Sequence, residues 1–198
     1  MNKRVKSNSI RIIAGNWRGR RIPVLDHPGL RPTIDRVRET LFNWLMHDVA
    51  GANCLDLFAG SGVLGFECLS RGSNRVDFVE SDAVVAANIE RNIDLLKEGT
   101  RSVEATVNCQ NALSFLKSSS HNRYDIVFLD PPFQSSFLPE CVQLLLSNNW
   151  LNENALLYIE QKSANQALGM SEYFDIYRQG KAGQSAYFLY SLKARASL

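Results

Sequence analysis

Four consecutive residues, Asp130-Pro131-Pro132-Phe133, place an acid, a rigid turn and an aromatic ring directly after the apolar residues 124–129. Two successive prolines fix φ and remove two backbone donors, so the carbonyl of Pro131 is held in place and free to accept a hydrogen bond. A carboxylate beside such a carbonyl can accept both hydrogens of an exocyclic base amine, while Phe133 stacks on the base. The tetrapeptide therefore indicates chemistry on an amine whose delocalised lone pair makes it a weak nucleophile.

A second motif lies earlier in the chain, where an apolar run ends in Asp56 and is followed by Gly60, Gly62 and Gly65. The pattern predicts a buried strand, a tight turn and the start of a helix. Gly60 and Gly62 lack the Cβ atoms that would keep a ligand off the backbone, and Gly65 allows the helix to pack closely on the strand. Free N–H groups at the helix N-terminus add donors for a ligand.

Further positions complete the predicted cofactor site. Glu80 ends the next predicted strand, 20 residues after Gly60, where a carboxylate can accept both hydroxyls of a ribose. Asn111 follows the third predicted strand, and it either accepts from an adenine amine or only caps the following helix. Phe58 and Ala112, which adjoin these motifs, are included in the predicted cofactor site.

The glycine spacing also satisfies the dinucleotide pattern G-x-G-x-x-G, which alone is a weak signal. Two features favour a different ligand. Asp56 stands at a strand end that is usually apolar in dehydrogenases, and a second strand runs into Asp130-Pro-Pro-Phe. Together the two stretches resemble motifs I and IV of class I S-adenosylmethionine (SAM) methyltransferases. The second resembles the D/N-P-P-Y/F/W sequence of those that methylate exocyclic amines of bases. The resemblance implies SAM as the cofactor.

The rest of the chain alternates strand and helix patterns. Strands are predicted at residues 53–56, 75–80, 104–108, 124–129 and 155–160, with helices near 62–71, 82–97, 111–117, 137–147 and 164–168. Two closing strands, near 174–179 and 186–192, are joined by a loop at 180–185. This pattern predicts a doubly wound α/β fold with a mostly parallel seven-stranded sheet that ends in an antiparallel hairpin. The first and fourth strands flank the point where the winding reverses, so the Gly60 turn and Asp130 should face one cleft.

The N-terminal part of the chain is strongly basic. Residues 1–38 hold ten basic and two acidic residues, a net charge of +8, whereas the remainder carries −6. Residues 10–14 and 20–24 predict a short β-hairpin, which is too small to be stable alone and must pack on the main domain. The charge points to a polyanion, and Trp17 could stack on a base. We therefore divide the chain into a basic RNA-binding arm with the hairpin, residues 1–30, and a catalytic domain, residues 31–198. The predicted RNA-binding residues are Arg11, Trp17, Arg18, Arg20, Arg21, Arg31, Arg36 and Lys181.

A helix is predicted from Thr33, as its cap, to about Asp48. Its apolar positions (Ile34, Val37, Leu41, Trp44 and Leu45) fall on one face, with Arg38 among the largely opposite polar residues.

Composition excludes several classes of protein. No apolar stretch is long enough to span a membrane, and the basic N-terminus lacks the apolar segment of a secretory signal, so we expect a cytoplasmic protein. The four cysteines lack metal-ligand spacing and predict small buried side chains. The three histidines are isolated, so no metal is predicted. No interface stripe is visible, and we expect a monomer.

One block is more specific than the superfamily motifs. The segment Arg31-Pro-Thr-Ile-Asp-Arg-Val-Arg-Glu-Thr-Leu-Phe-Asn-Trp-Leu45, with Ile12-Ile13-Ala14-Gly15 and Gly19-Arg20 before it, resembles the RsmD family of bacterial 16S rRNA guanine-N2 methyltransferases. The resemblance covers essentially the whole chain. It implies one guanine of 16S rRNA near the tRNA P site, modified on the assembled 30S particle. It also implies that Asp130 to Phe133 bind the base and that Asp56, Gly60, Gly62 and Glu80 bind SAM.

The residues themselves, without the resemblance, leave alternatives open. An adenine-N6 methyltransferase acting on DNA or RNA fits the tetrapeptide equally well. A nicotinamide-dependent oxidoreductase would share the glycines and Glu80, but it leaves Asp130-Pro-Pro-Phe and the basic arm unexplained. A non-catalytic RNA-binding protein would not need both motifs.

Overall fold

The computed structural model describes residues 9–26, 35–97, 103–118, 122–131, 137–162 and 170–193. In chain order its strands are β1 (Ser9–Arg11), β2 (Arg21–Pro23), β3 (Asn53–Asp56), β4 (Arg75–Glu80), β5 (Glu104–Cys109), β6 (Tyr124–Leu129), β7 (Leu151–Lys162), β8 (Phe174–Ala182) and β9 (Ser185–Leu192). Its helices are α1 (Asp35–Trp44), α2 (Val63–Ser70), α3 (Ala83–Lys97), α4 (Ala112–Lys117) and α5 (Phe137–Ser147).

Seven strands form one sheet in the order β5-β4-β3-β6-β7-β9-β8. The first five in this order pair in parallel, and β9 pairs antiparallel with both β7 and β8. The winding reverses between β3 and β6, as the sequence predicts, because successive crossovers lead outward from these two central strands. The predicted doubly wound fold with a terminal hairpin is confirmed.

The predicted element bounds hold closely, with three differences. Strand β7 is longer than residues 155–160, and the closing hairpin turns at Gly183 and Gln184 rather than over residues 180–185. Gly183 has φ +58°, a value that tight two-residue turns favour. Helix α1 ends at Trp44, whereas a helix to Asp48 was predicted. The predicted cap at Thr33 and the predicted helix at residues 164–168 lie outside the described residues.

The N-terminal hairpin, β1 and β2, packs on the main domain. Ile12, Trp17 and Ile22 are 0–2% exposed and belong to the same apolar cluster as the helices on one face of the sheet. The backbone N–H of Ile13 donates to Glu67 Oε1 of α2 at 2.7 Å, and that of Trp17 donates to Ser70 Oγ at 2.9 Å. The division at residue 30 therefore separates the chain by charge, whereas the described hairpin and domain share one core.

Arg38 differs from its prediction. It was placed on the polar face of α1, yet its side chain is fully buried. Its guanidinium lies 3.4 Å from Glu67 Oε1 and 2.6 Å from Asp35 Oδ1, and it donates to the carbonyl of Arg11 at 3.2 Å. Three charged or polar partners make burial of the cation possible, so Arg38 joins α1, α2 and the hairpin. Val37, Leu41 and Leu45 are buried on the apolar face, as predicted.

Two smaller predictions can be compared with the structure. A Cβ on Gly65 would lie 2.2 Å from the Phe78 ring, so this glycine does permit close contact between α2 and the sheet. Cys54, Cys68 and Cys141 are buried as predicted, but Cys109, at the end of β5, is exposed. None of the helices in the described ranges is long and apolar enough to cross a membrane.

Candidate active site

Four carboxylic acids stand at the carboxyl ends of four neighbouring strands. In the order of the sheet they are Glu80 on β4, Asp56 on β3, Asp130 directly after β6 and Glu160 on β7. We call this set the strand-end acids. Because parallel strands end at the same edge of a sheet, all four lie along the edge at which the winding reverses.

The strand-end acids also share one face of the sheet. Side chains alternate along a strand, so each acid points to the same side as the residue two positions before it. Those residues are Phe78, Cys54, Phe128 and Tyr158, and all four belong to a single apolar cluster beneath α1 and α2. The Gly60 turn and the strand-end acids therefore lie at the same edge of the sheet and on the same face.

The strand register places Asp130 between two of the other acids. Asp56 pairs with Phe128, and Leu129 pairs with Ile159. Continuing these parallel ladders by one or two residues brings Asp130 level with Phe58 on one side and with Glu160 on the other.

Burial and mutual repulsion disfavour ionisation of two acids in this row. Desolvation, together with the negative charges of Glu160 and Asp56, raises the pKa of Asp130 to about 8. Desolvation also raises the pKa of Asp56 to about 7, with a smaller contribution from Glu80, although a hydrogen bond from the Gly65 N–H opposes the shift. Strongly raised carboxyl pKa values in a cleft are typical of functional sites.

Within the described parts of the chain, no ion pair joins a lysine or arginine to any strand-end acid. A cationic ligand would therefore supply the positive charge that favours ionisation of these acids.

The glycine turn is held by the strand-end acids themselves. The N–H of Gly60 donates to Glu80 Oε2 at 2.9 Å, and the N–H of Gly65 donates to Asp56 Oδ2 at 3.1 Å. Gly60 and Gly62 have φ values of +52° and +75°, a region that residues with a Cβ rarely adopt. Helix α2 begins after Gly62 without a side-chain cap, and Asp56 accepts from the Gly65 N–H of its first turn instead.

Comparison with known proteins identifies the family. The family model described as "Conserved hypothetical protein 95" matches residues 10–191. The "Ribosomal RNA small subunit methyltransferase D" of Escherichia coli K12 is 48% identical over 191 residues, which are 96% of this chain and 93% of that protein. The protein of the same name from Haemophilus influenzae is 47% identical over 182 residues, 91% of this chain and 93% of that protein. The chain belongs to the RsmD family.

A solved structure supports the same assignment. The solved structure of the "Putative methyltransferase yhhF" from Escherichia coli is 45% identical, with a TM-score of 0.83, and the match covers 95% of this chain and 100% of that one.

SAM fits the residues that are present. It carries a sulfonium and an ammonium, whose positive charge would favour the ionised form of the strand-end acids. Gly60 leaves the turn without a Cβ, and the carboxylate oxygens of Glu80 keep lone pairs for a ribose hydroxyl. Glu80 already accepts from the N–H groups of Gly60 and Asp82, at 2.9 and 2.8 Å, so its carboxylate is held at the strand end.

The other predicted cofactor residues have distinct environments. Asn111 caps α4, since its side-chain oxygen accepts from the N–H groups of Leu113 and Ser114 at 2.9 and 3.4 Å. The cap is confirmed, and contact with an adenine stays a prediction. Ala112 is buried at the start of α4, and Phe58 is partly buried beside the same apolar cluster. Pro131 is buried next to Asp130, whereas Pro132 and Phe133 lie outside the described residues.

The predicted RNA-binding residues divide into two groups. Arg11, Arg18, Arg21, Arg36 and Lys181 are exposed. Arg20 donates to the carbonyls of Leu95 and Leu96 at 2.5 and 3.0 Å, and so closes the C-terminal end of α3. Arg31 lies outside the described residues.

Trp17 was predicted to stack on a base, and the structure corrects that role. Its side chain is 2% exposed and packs in the core. Trp17 belongs to the apolar cluster that also contains Ile12 and Ile22, and its backbone N–H donates to Ser70 Oγ of α2.

Glu160 is the residue of this site that the sequence argument missed. It ends a predicted strand, as Glu80 does, and this position was the available signal. No motif includes Glu160, and only the β6–β7 register brings it beside Asp130.

Proposed function

We propose that the protein transfers a methyl group from SAM to the exocyclic N2 amine of one guanine in 16S rRNA. The observation that carries the proposal is Asp130, a strand-end acid directly followed by Pro131, in the cleft that also contains the open glycine turn. Supporting it, the relatives in the RsmD family are named for methylation of small-subunit ribosomal RNA.

The protein's task is to orient and activate a poor nucleophile. The Asp130 carboxylate and the Pro131 carbonyl accept the two amine hydrogens, which favours the pyramidal nitrogen that exposes its lone pair. Pro131 is buried and its φ is fixed, so the acceptor does not have to be ordered during the reaction. Phe133 stacks on the base. Orientation of this kind is the main contribution that an enzyme makes to an in-line displacement.

SAM, when bound, supplies an electrophilic methyl group on a sulfonium. As the new N–C bond forms and the S–C bond breaks, the amine nitrogen becomes cationic and strongly acidic. Asp130 is placed to accept the released proton, for which its carboxyl must be ionised. The pKa near 8 in the free protein keeps much of it protonated at neutral pH, and a cationic ligand in the cleft lowers that pKa.

The substrate surface is the basic N-terminal region. Arg11, Arg18 and Arg21 are exposed on the hairpin, and Arg36 is exposed on α1. Contacts of such arginines with phosphates position an RNA without reading its sequence. Arg31 and Lys181 remain further candidates. The arm of residues 1–30 is a functional segment in this proposal, with residues 31–198 as the catalytic part.

The substrate as found in the cell is the assembled 30S subunit, with the protein acting as a cytoplasmic monomer that needs no metal. An adenine-N6 methyltransferase would need the same tetrapeptide. It is the second candidate because the strand-end acids accept from any exocyclic amine.

Mass spectrometry of nucleosides tests the proposal. Small subunits from a strain that lacks the gene for this protein are incubated with the protein and SAM, and their rRNA is digested. We expect a gain of one equivalent of N2-methylguanosine per subunit over the same subunits incubated without the protein. A gain of N6-methyladenosine instead would establish the second candidate, and no gain of any methylated nucleoside would overturn both.

A further inference from the structure

Glu160 has a position that the proposed reaction does not yet use. It lies on β7, level with Asp130 by the β6–β7 register and on the same face of the sheet. Neighbouring strands are about 4.8 Å apart, so the two carboxyl groups can reach adjacent atoms on one edge of a base.

A hydrogen bond orients this carboxylate. The hydroxyl of Tyr158, two residues earlier on β7, donates to Glu160 Oε2 at 3.2 Å. Tyr158 is fully buried in the apolar cluster, so its hydroxyl is a fixed donor. The other carboxylate oxygen, Oε1, has no partner among the described hydrogen bonds and ion pairs. Glu160 thus has a held orientation and one oxygen available for a ligand.

The base edges differ in a way that such a carboxylate detects. In guanine the N2 amine is next to N1–H, a donor. In adenine the N6 amine is next to N1, an acceptor without a hydrogen. A carboxylate accepts from the first and repels the second. A buried group built to accept one hydrogen bond discriminates strongly against a ligand that cannot donate it.

We propose that Glu160 is a specificity-determining residue that accepts the N1–H of the target guanine while Asp130 and Pro131 accept the hydrogens of its N2 amine. The inference rests on the proposed function, since it concerns the base held in the same site. It gives the second strand-end acid beside Asp130 a contact with substrate and explains why a carboxylate stands there in addition to Asp130.

The test uses a base that keeps the methylated amine but lacks the N1 donor. 2-Aminopurine has the C2 amine of guanine, with an unprotonated N1. The methylated position is first mapped by mass spectrometry of nuclease fragments of the rRNA. Subunits are then reconstituted from ligated rRNA that carries either guanine or 2-aminopurine at that position. Values of kcat/KM for methyl transfer are then compared for the wild type, Glu160→Gln and Glu160→Ala. The wild type should prefer guanine by at least about tenfold.

Glu160→Gln should lower kcat/KM on guanine about 10- to 100-fold, the loss expected for one hydrogen bond to a charged group. Its effect on 2-aminopurine should be small, because the glutamine amide can donate to N1. The preference for guanine should therefore fall at least about tenfold, and Glu160→Ala should lower it too, since alanine cannot accept. Glu153→Gln is the matched control, because Glu153 is an exposed glutamate at the opposite end of β7, and its preference should equal that of the wild type.

The outcomes separate this inference from the proposed function. If the wild type methylates guanine and both Glu160 variants keep its full preference over 2-aminopurine, the role of Glu160 is wrong and the proposed function stands. A wild type that methylates the two substrates equally also contradicts it. If the wild type forms no N2-methylguanosine at all, the proposed function itself fails.

Discussion

Two carboxyl groups in this protein, one buried and one half-buried, have opposite surroundings. Glu67, on α2, is fully buried and lies 3.4 Å from the Arg38 guanidinium and 3.4 Å from Arg71 Nε, and it also accepts from the Ile13 N–H. Burial raises the pKa of Glu67, and these three partners oppose the shift. Asp130 faces Glu160 and Asp56, with no arginine or lysine bound to it in the described part of the chain.

The contrast separates structure from function. A buried charge that is paired and hydrogen-bonded within the chain holds the contributing elements together, here the hairpin, α1 and α2. When the nearest charged neighbours of a carboxyl group are also acids, they destabilise its ionised form. A cationic ligand can then stabilise that form. Glu67 is therefore expected to matter for stability, and Asp130 for binding and turnover.

The largest effect should follow from unpairing Glu67. Arg38→Ala removes its buried cation and leaves the carboxylate uncompensated, which should lower the free energy of unfolding by about 3–5 kcal/mol in urea denaturation. The control is Arg36→Ala, two residues away and exposed, which should stay within about 0.5 kcal/mol of the wild type. Equal stability of the two variants would mean that the Arg38–Glu67 pair does not stabilise the fold.

Glu80 sharpens the comparison from the ligand side. Glu80→Ala removes a carboxylate from the predicted ribose site and also frees the Gly60 N–H. Calorimetry should show SAM affinity weakened by about 1.5–3 kcal/mol. Glu90→Ala, on the exposed side of α3, serves as the control. If Glu80→Ala bound SAM as tightly as the wild type, Glu80 would only hold the glycine turn and would not bind the cofactor.

The pH dependence of folding stability tests whether the ionised form of Asp130 destabilises the folded protein. With its pKa raised to about 8, the folded protein keeps a proton that the unfolded chain releases near pH 4. Folding stability from this group therefore declines as pH rises between about 4 and 8. Asp130→Asn cannot ionise, so its stability relative to the wild type should increase over that range.

The gain should be about 1–2 kcal/mol at pH 9 compared with pH 5, less than full linkage implies because Asp130 is only partly buried. Urea denaturation at the two pH values measures it. Glu67→Gln, measured alongside, should be less stable than the wild type at pH 7, since the buried Arg38 guanidinium loses its charged partner. If Asp130→Asn were less stable than the wild type at pH 9, the ionised Asp130 would stabilise the fold, as Glu67 does, and the two carboxyl groups would no longer differ.

The smallest effect concerns the exposed arginines. Arg18→Ala should reduce the slope of log affinity for rRNA against log salt by about one unit, with no change in base preference. Arg20→Ala should instead lower the melting temperature, because the Arg20 side chain binds the carbonyls of Leu95 and Leu96. An unchanged salt slope for Arg18→Ala would place the RNA contacts elsewhere.

The sheet could be predicted from the sequence because its strands are apolar runs with acids or turns at their ends. The glycine turn and the tetrapeptide could be recognised because their residue types lie next to one another in the chain. The errors share one cause. Arg38 and Trp17 were assigned by charge or aromatic character, and contacts with residues far along the chain decided their roles. Glu160 was missed for the same reason, since its neighbour Asp130 belongs to another strand.

The most direct test of the account is methyl transfer by Asp130→Ala. Turnover on small-subunit rRNA is measured with SAM at saturation, and SAM affinity is measured in parallel by calorimetry. The account predicts a loss of at least about a hundredfold in turnover, the scale for one lost transition-state partner, with SAM affinity nearly intact. Near-normal turnover would contradict the assignment of the strand-end acids as the catalytic site.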